Sequence, residues 1–306
     1  MPHRKTPQRK KFEKKAMNFF RRHYFGLGKN KKEAKEKLRS QATFFRHIET
    51  AAFIQEKIGA KNLVDITQEM ALDYLLLRAT KVCNKTLQNE RRVLERIIFL
   101  HEPEKRLVIN VDLPPREWVN RAYTHEQIYQ IMSRQSEANQ LATALCFTAG
   151  LRAQELLTLQ RFDEAFASKE RQWRKDLFIG SEGKKYIVKG KGGLYRVVMI
   201  PHILAERLEQ HRLETPREIK DRKCTIINRY DITGGKKFTD AFSQLSKRTL
   251  GWSHGAHGLR YAYAQERLNR SIPNRNYDEK LEIISQELGH FRKQITPHYL
   301  HKGTCS

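Results

Sequence analysis

The spacing of apolar positions divides the chain into blocks. From Ser40 to His101 the period is helical: Phe44, Ile48, Ala51, Ala52 and Ile58 fall on one face, as a helix with a single buried stripe requires. Gly59 and Asn62 punctuate its end. A second helix is expected to open at Asp65, with Leu72, Leu75 and Leu76 on its stripe. A third runs from Thr86 to Leu100 around Leu87, Val93, Leu94, Ile97 and Ile98. Residues 40–101 therefore predict a small all-α domain of three or four helices. The period lapses over 102–122, where Pro103, Pro114 and Pro115 mark a linker. A second domain, 123–306, opens on Thr124-x-x-Gln127, a capping box for a helix. Leu141 to Phe147 predicts another helix, broken at Ala149-Gly150, and 153–160 a further one. Tyr186 to Val188 and Tyr195 to Ile200 read as two strands. The turn between them holds Gly190, Gly192 and Gly193, so they form a hairpin. From Pro201 onward the pattern predicts mostly helix. The expected class is mainly α with a small β-hairpin or sheet in the second domain.

Charge changes this picture most. The chain carries 59 Lys and Arg against 34 Asp and Glu, a net of +25 in 306 residues. Such a field draws in polyanions, and each phosphate it neutralises releases counterions. DNA or RNA is the expected partner; a ribosome-associated protein and a membrane-surface binder are the alternatives that charge alone allows. Residues 1–39 read as a basic N-terminal arm: the first 40 residues hold 15 basic and 3 acidic side chains. Phe12, Phe19, Phe20, Tyr24 and Phe25 are interspersed in it, aromatics that can pack onto the next domain. Arg21 and Arg22 are candidate DNA contacts there. No apolar run of membrane-spanning length exists and the N-terminus has no secretory apolar region, so no membrane partner is expected. The cysteines Cys83, Cys146, Cys224 and Cys305 are scattered without a CxxC pair. A reducing cytoplasm fits them, and a nucleic-acid partner makes a nucleoid-associated location the expected one.

Four local patterns carry candidate chemistry. In Gly150-Leu151-Arg152-Ala153-Gln154-Glu155-Leu156, Arg152 follows a helix end and can fork onto a phosphate. The plainer reading is a surface arginine paired with Glu155. In Lys189-Gly190-Lys191-Gly192-Gly193-Leu194-Tyr195-Arg196, a glycine-flanked Lys191 at a hairpin tip can donate a proton to a leaving oxygen, against an ordinary charged turn. Lys189 and Arg196 beside it are candidate DNA contacts. In His257-Gly258-Leu259-Arg260, an i, i+3 pair on one helix face lets an imidazole and a guanidinium converge on an anion. Leu288-Gly289-His290 is followed nine positions on by Tyr299, which taken alone reads as a half-buried aromatic. His254, His257, His290, His298 and His301 crowd near Cys305. Without a helix that places three ligands together they do not make a zinc site, and no cofactor or metal is expected.

Taken in order (Arg, Lys, His-x-x-Arg, His, Tyr), the four patterns resemble the tyrosine recombinase, or phage integrase, family over about 123–301. Residues 40–100 are similar to that family's core-binding domain in size and position only. The resemblance implies a two-domain C-shaped DNA clamp with the tyrosine recombinase catalytic fold. It implies Arg152 and Arg260 gripping the scissile phosphate, Lys191 protonating the departing 5′-hydroxyl, and His257 and His290 bonding the phosphate. His257 is the better candidate for proton transfer with the nucleophile. Glu155 orients its neighbours, and Tyr299 attacks to give a 3′-phosphotyrosyl bond. A site-specific recombinase or integrase of a mobile element follows, working as a homo-tetramer on two DNA duplexes. The resemblance leaves room for an accessory DNA-bending factor. A type IB-like topoisomerase and a catalytically idle DNA-binding relative are the alternatives. Many family members continue past the tyrosine into a helix that docks on a neighbour, whereas seven residues follow Tyr299 here. The stretches 161–185 and 269–285 look like irregular insertions.

Overall fold

The computed structural model describes residues 6–27, 36–110, 120–222, 224–291 and 299, apart from the side chains of Lys191 and Arg270. The chain divides into two compact units, Met1–Glu117 and Trp118–Ser306.

The first unit is helical: α1 (Pro7–Tyr24), α2 (Gln41–Ile58), α3 (Gln68–Ala79) and α4 (Asn84–Ile98). Three of the four helices start on a hydroxyl that accepts a free backbone N–H of the first turn, from Thr6, Ser40 and Thr67. The third helix is thus capped two residues later than the expected Asp65 start, and Asp65 ends a short 3-10 turn instead. Gly59 closes α2 in the left-handed conformation, its N–H on the Gln55 carbonyl. Phe12, Ala16, Phe20 and Tyr24 of α1 are buried in one core with Phe44, Ile48, Leu75, Leu87 and Leu94. The segment read as an arm therefore contributes a helix to this core.

The second unit holds α5 (His125–Met132), α6 (Glu137–Thr148), α7 (His202–Gln210), α8 (Gly235–Leu250), α9 (His257–Glu266) and α10 (Tyr277–Glu287). A three-stranded antiparallel sheet runs in the order β1 (Gln160–Arg161), β2 (Lys184–Lys189), β3 (Tyr195–Ile200). In its hairpin Tyr186 pairs with Val198 and Lys189 with Tyr195. Tyr186, Val188, Val198 and Ile200 join Leu141, Leu145, Leu156, Phe238, Phe242 and Leu259 in the main core. The Thr124–Gln127 capping box closes reciprocally at 3.0 and 3.2 Å.

Two expectations need correction. Residues 153–160 are not a helix: Glu155–Thr158 make one 3-10 turn, and Gln160 pairs with Ile187 as a strand. The stretch 269–285 is not an irregular insertion, since α10 occupies most of it behind an Asn276–Glu279 capping box. After Pro201 the chain is mostly helix, as expected, with β4 (Arg212–Asp221) and β5 (Cys224–Tyr230) added as a second hairpin. No described helix is long and apolar enough to cross a membrane.

Candidate active site

Two glycine turns bring the parts together. Gly150, at φ 58°, lies so close to Tyr263 that a Cβ would sit 2.6 Å from its ring. Gly289, at φ 67°, would place a Cβ 2.8 Å from Arg196 Cδ. A side chain at either position meets both backbone strain and a clash, so the turns bearing Arg152 and His290 can close only with glycine.

Glu155 is the centre of charge. Its Oε1 accepts from Arg152 Nη1 at 2.5 Å, and its Oε2 accepts from the Arg152 backbone N–H at 2.9 Å and from Arg196 Nη2 at 2.7 Å. Arg260 Nη1 lies 3.8 Å from the same Oε2. Burial disfavours the Glu155 carboxylate, but Arg196, Arg152 and Arg260 outweigh it and hold the group ionised, well below the usual carboxylate range. The plain reading of Arg152, a partner for Glu155, is thus what the structure holds. Its Nη2 remains directed to His290 Nε2, at 2.9 Å.

Arg260 is fully buried and donates to the carbonyls of Gly150 and Leu288. Burial and the neighbouring Arg152 pull its pKa down to about 9. His290 is held neutral: burial, then Arg260, Arg152 and Arg196, lower its pKa to about 3. Because Arg152 donates to Nε2, the proton sits on Nδ1. Burial, Arg260 and Arg152 lower His257 to about 4 in the same way. Tyr299 is 6% exposed, and its hydroxyl lies 3.4 Å from His257 Nε2. The Arg260 guanidinium stands 6.0 Å from its ring centre, and Gln265 Nε2 donates to its backbone carbonyl at 3.2 Å. The His290 ring is 5.6 Å away. Arg152, Glu155, His257, Arg260, His290 and Tyr299 therefore converge, though they span almost half of the chain.

The Lys191 side chain lies outside the described part. Its hairpin reaches the site, because a Cβ on Gly190 would stand 3.0 Å from Glu155 Oε1. Lys189 is exposed, its ammonium 5.5 Å from the Tyr195 ring. Arg196 does not face DNA as expected: it is fully buried, donating to Glu155 and to the carbonyls of Gly150 and Glu287. Strand alternation explains the difference, since Arg196, Val198 and Ile200 share the inward face of β3. Arg21 and Arg22 are exposed in the last turn of α1. Arg22 lines a groove of about 770 Å³ in the first unit with Lys37, Arg91, Arg92, Arg96 and Arg106. Among the described residues no group of three His, Cys, Asp or Glu side chains suits a metal ion. His298 and His301 lie outside the described residues.

Sequence reasoning missed a second buried ion pair behind the site. Glu287 accepts from Arg267 Nε and Nη2 at 2.9 and 2.6 Å, from Tyr263 Oη at 2.8 Å and from the Phe178 N–H at 2.8 Å. It ties the end of α9 and the 178–181 loop to the turn that presents His290. The available signal was a glutamate on the buried face of α10 beside Ile283 and Ile284.

The integrase family model matches residues 116–266. This segment belongs to the integrase family. Solved tyrosine recombinases share the fold. A lambda integrase tetramer bound to a Holliday junction aligns with a TM-score of 0.60 at 14% identity, covering 100% of this chain and 84% of that one. The XerH recombinase in a post-cleavage complex with difH gives 0.57 at 15% identity, over 99% and 95%. The Tn1549 transposon integrase with transposon end DNA gives 0.52 at 14% identity, over 96% and 95%. No curated protein matches the sequence.

Proposed function

We propose that the protein is a site-specific DNA recombinase that cuts and rejoins strands through a 3′-phosphotyrosyl intermediate, for integration or excision of a mobile element. The observation that carries this reading is the Tyr299 hydroxyl beside a neutral imidazole and a buried arginine cluster. Free tyrosine has a pKa of about 10 and needs a base to attack at neutral pH. His257 Nε2 is that base: it takes the phenolic proton as the Tyr299 oxygen bonds to phosphorus. The P–O5′ bond breaks, and Lys191 gives the departing oxygen its proton. Arg152 and Arg260 neutralise the equatorial oxygens of the transition state. Among the described residues Arg260 Nε and His290 Nδ1 are buried N–H groups without an acceptor, and a non-bridging phosphate oxygen is the acceptor they suit. The phosphotyrosyl bond keeps the energy of the broken phosphodiester, so rejoining needs no nucleotide.

The groove of the first unit, with Arg21 beside it and Arg22 in its wall, supplies sequence-independent grip on phosphates, as does Lys189 at the hairpin. Assembly as four copies on two duplexes, with an accessory bending factor, completes the proposal. A nicked suicide duplex carrying the element's own junction sequence tests it. The parent protein should accumulate a covalent protein–DNA adduct, and Tyr299→Phe should bind the same duplex without forming one. A parent protein that binds but never forms the adduct would sink the reading in favour of a catalytically idle DNA binder. Relaxation of supercoiled plasmid by monomers without a defined site would favour a type IB-like topoisomerase.

A further inference from the structure

The nucleophile's ring has a neighbour that the proposed chemistry does not use. Tyr261 follows Arg260 directly in α9 and packs against Tyr299 with ring centres 4.5 Å apart and planes tilted by 38°. The same ring meets His257, one helical turn earlier, edge-on at 5.6 Å and 79°. Tyr261 thus touches both partners of the proton transfer, although it is only partly buried and lies at the margin of a small cluster formed by Tyr263, Ile284, Leu288 and Tyr299. The Tyr299 hydroxyl and His257 Nε2 stand 3.4 Å apart, beyond the usual O–H···N bond, so small rotations of either ring decide whether the proton can pass. At the backbone, Gln265 donates to the Tyr299 carbonyl. The Tyr299 ring also meets the His290 ring at 5.6 Å and the Arg260 guanidinium at 6.0 Å, and among the described aromatic rings around it Tyr261 stands nearest.

We infer that Tyr261 is a positioning residue: its aromatic face is the platform that sets the Tyr299 phenol against His257. The inference rests on the reading of Tyr299 as the nucleophile. The platform needs a ring and no hydroxyl. An aromatic pair of this kind is worth about a tenfold shift between oriented and unoriented populations. Its α9 position, between the arginine that holds phosphate and the next turn of the helix, lets one rigid element register phosphate, base and nucleophile together.

Two variants and two readouts test it. On the nicked duplex, Tyr261→Leu should slow adduct formation about tenfold, with DNA affinity and melting temperature at parent values, and Tyr261→Phe should restore the rate. Separately, with 3-fluorotyrosine placed at position 299 and no DNA present, the fluorine resonance should move in Tyr261→Leu and stay in Tyr261→Phe. Parent-like adduct rates in Tyr261→Leu, or an unmoved fluorine resonance, would overturn the inference. So would Tyr261→Phe as slow as Tyr261→Leu, which would assign the role to the hydroxyl. If the parent itself forms no adduct while the fluorine shifts behave as stated, the recombinase reading fails and the ring platform stands.

Discussion

Glu90 and Glu155 are both buried carboxylates, one in each unit, and they are served differently. Glu90 takes Arg78 Nε and Nη2 at 3.0 and 2.8 Å and the Tyr74 hydroxyl at 3.0 Å. One anion faces one cation, and a phenol donates to the same oxygen as Arg78 Nε. Glu155 faces three guanidiniums, two of them fully buried. The imidazoles beside it stay neutral because burial and those same cations deny them a proton. The first arrangement is balanced, as a structural pair must be to leave water. The second keeps, among the described residues, an excess of positive charge that the proposed phosphate would cancel. Local charge balance, more than burial, separates the two roles.

The largest expected effect comes from removing a cation from the unbalanced site. Arg260→Met should lower the single-turnover cleavage rate about 10²–10³-fold, the usual loss for a donor to a transition-state oxyanion. Folding stability should stay within about 1 kcal/mol, since relief of the charge excess offsets two carbonyl bonds. Urea denaturation of the same preparation would show this, and a loss of several kcal/mol would make Arg260 structural and erase the contrast. Glu90→Gln should do the reverse. It should cost about 2 kcal/mol of stability and leave cleavage per folded molecule unchanged.

The neutral histidines give a pH test. Their folded pKa values lie below the unfolded 6.5, at about 4 for His257 and about 3 for His290. The folded state therefore binds fewer protons, and the stability is complete above pH 6.5 and lost as pH falls toward 4. At pH 5 each histidine should account for about 2 kcal/mol of that loss. His257→Asn should flatten the stability profile between pH 6.5 and 4, by denaturant titration at each pH. A smaller change is expected from Arg22→Ala in the other unit. It should weaken DNA binding by about 0.5–1 kcal/mol and reduce the salt slope by about one ion, equally for all sequences.

Helices α2, α3 and α4 were legible because each shows an apolar stripe: α4 keeps Leu87, Val93, Leu94 and Ile97 buried; α1 was read as a basic arm because its charge hides the buried face of Phe12, Ala16, Phe20 and Tyr24. The hairpin around Gly190 was legible from its glycines and strand-forming flanks. The second hairpin was not, because β4 is largely exposed and its Arg, Glu and Lys positions give no alternation to read. The 153–160 turn was misread because Leu156, Leu157 and Leu159 suit helix and strand equally, and pairing with Ile187 decides. For the site, motif order in the sequence indicated Arg152, His257, Arg260, His290 and Tyr299. It did not separate an arginine open to a ligand from one that braces Glu155, because the difference lies in which face of β3 Arg196 occupies. The Glu287–Arg267 pair escaped for a similar reason, being made between segments 20 residues apart.

The crowd of guanidiniums around Glu155 also bears on how long the protein lasts. Like charges held out of water oppose the fold that holds them, so under the proposed function the second unit gives up some of its own ruggedness to be ready for an anion. Occupancy reverses this. A duplex bound as proposed and present at one hundred times its Kd adds about 2.7 kcal/mol to the folded state. Molecules engaged on their target should outlive idle ones in the presence of heat or proteases, so the lifetime of each copy in a cell would follow whether it has found DNA.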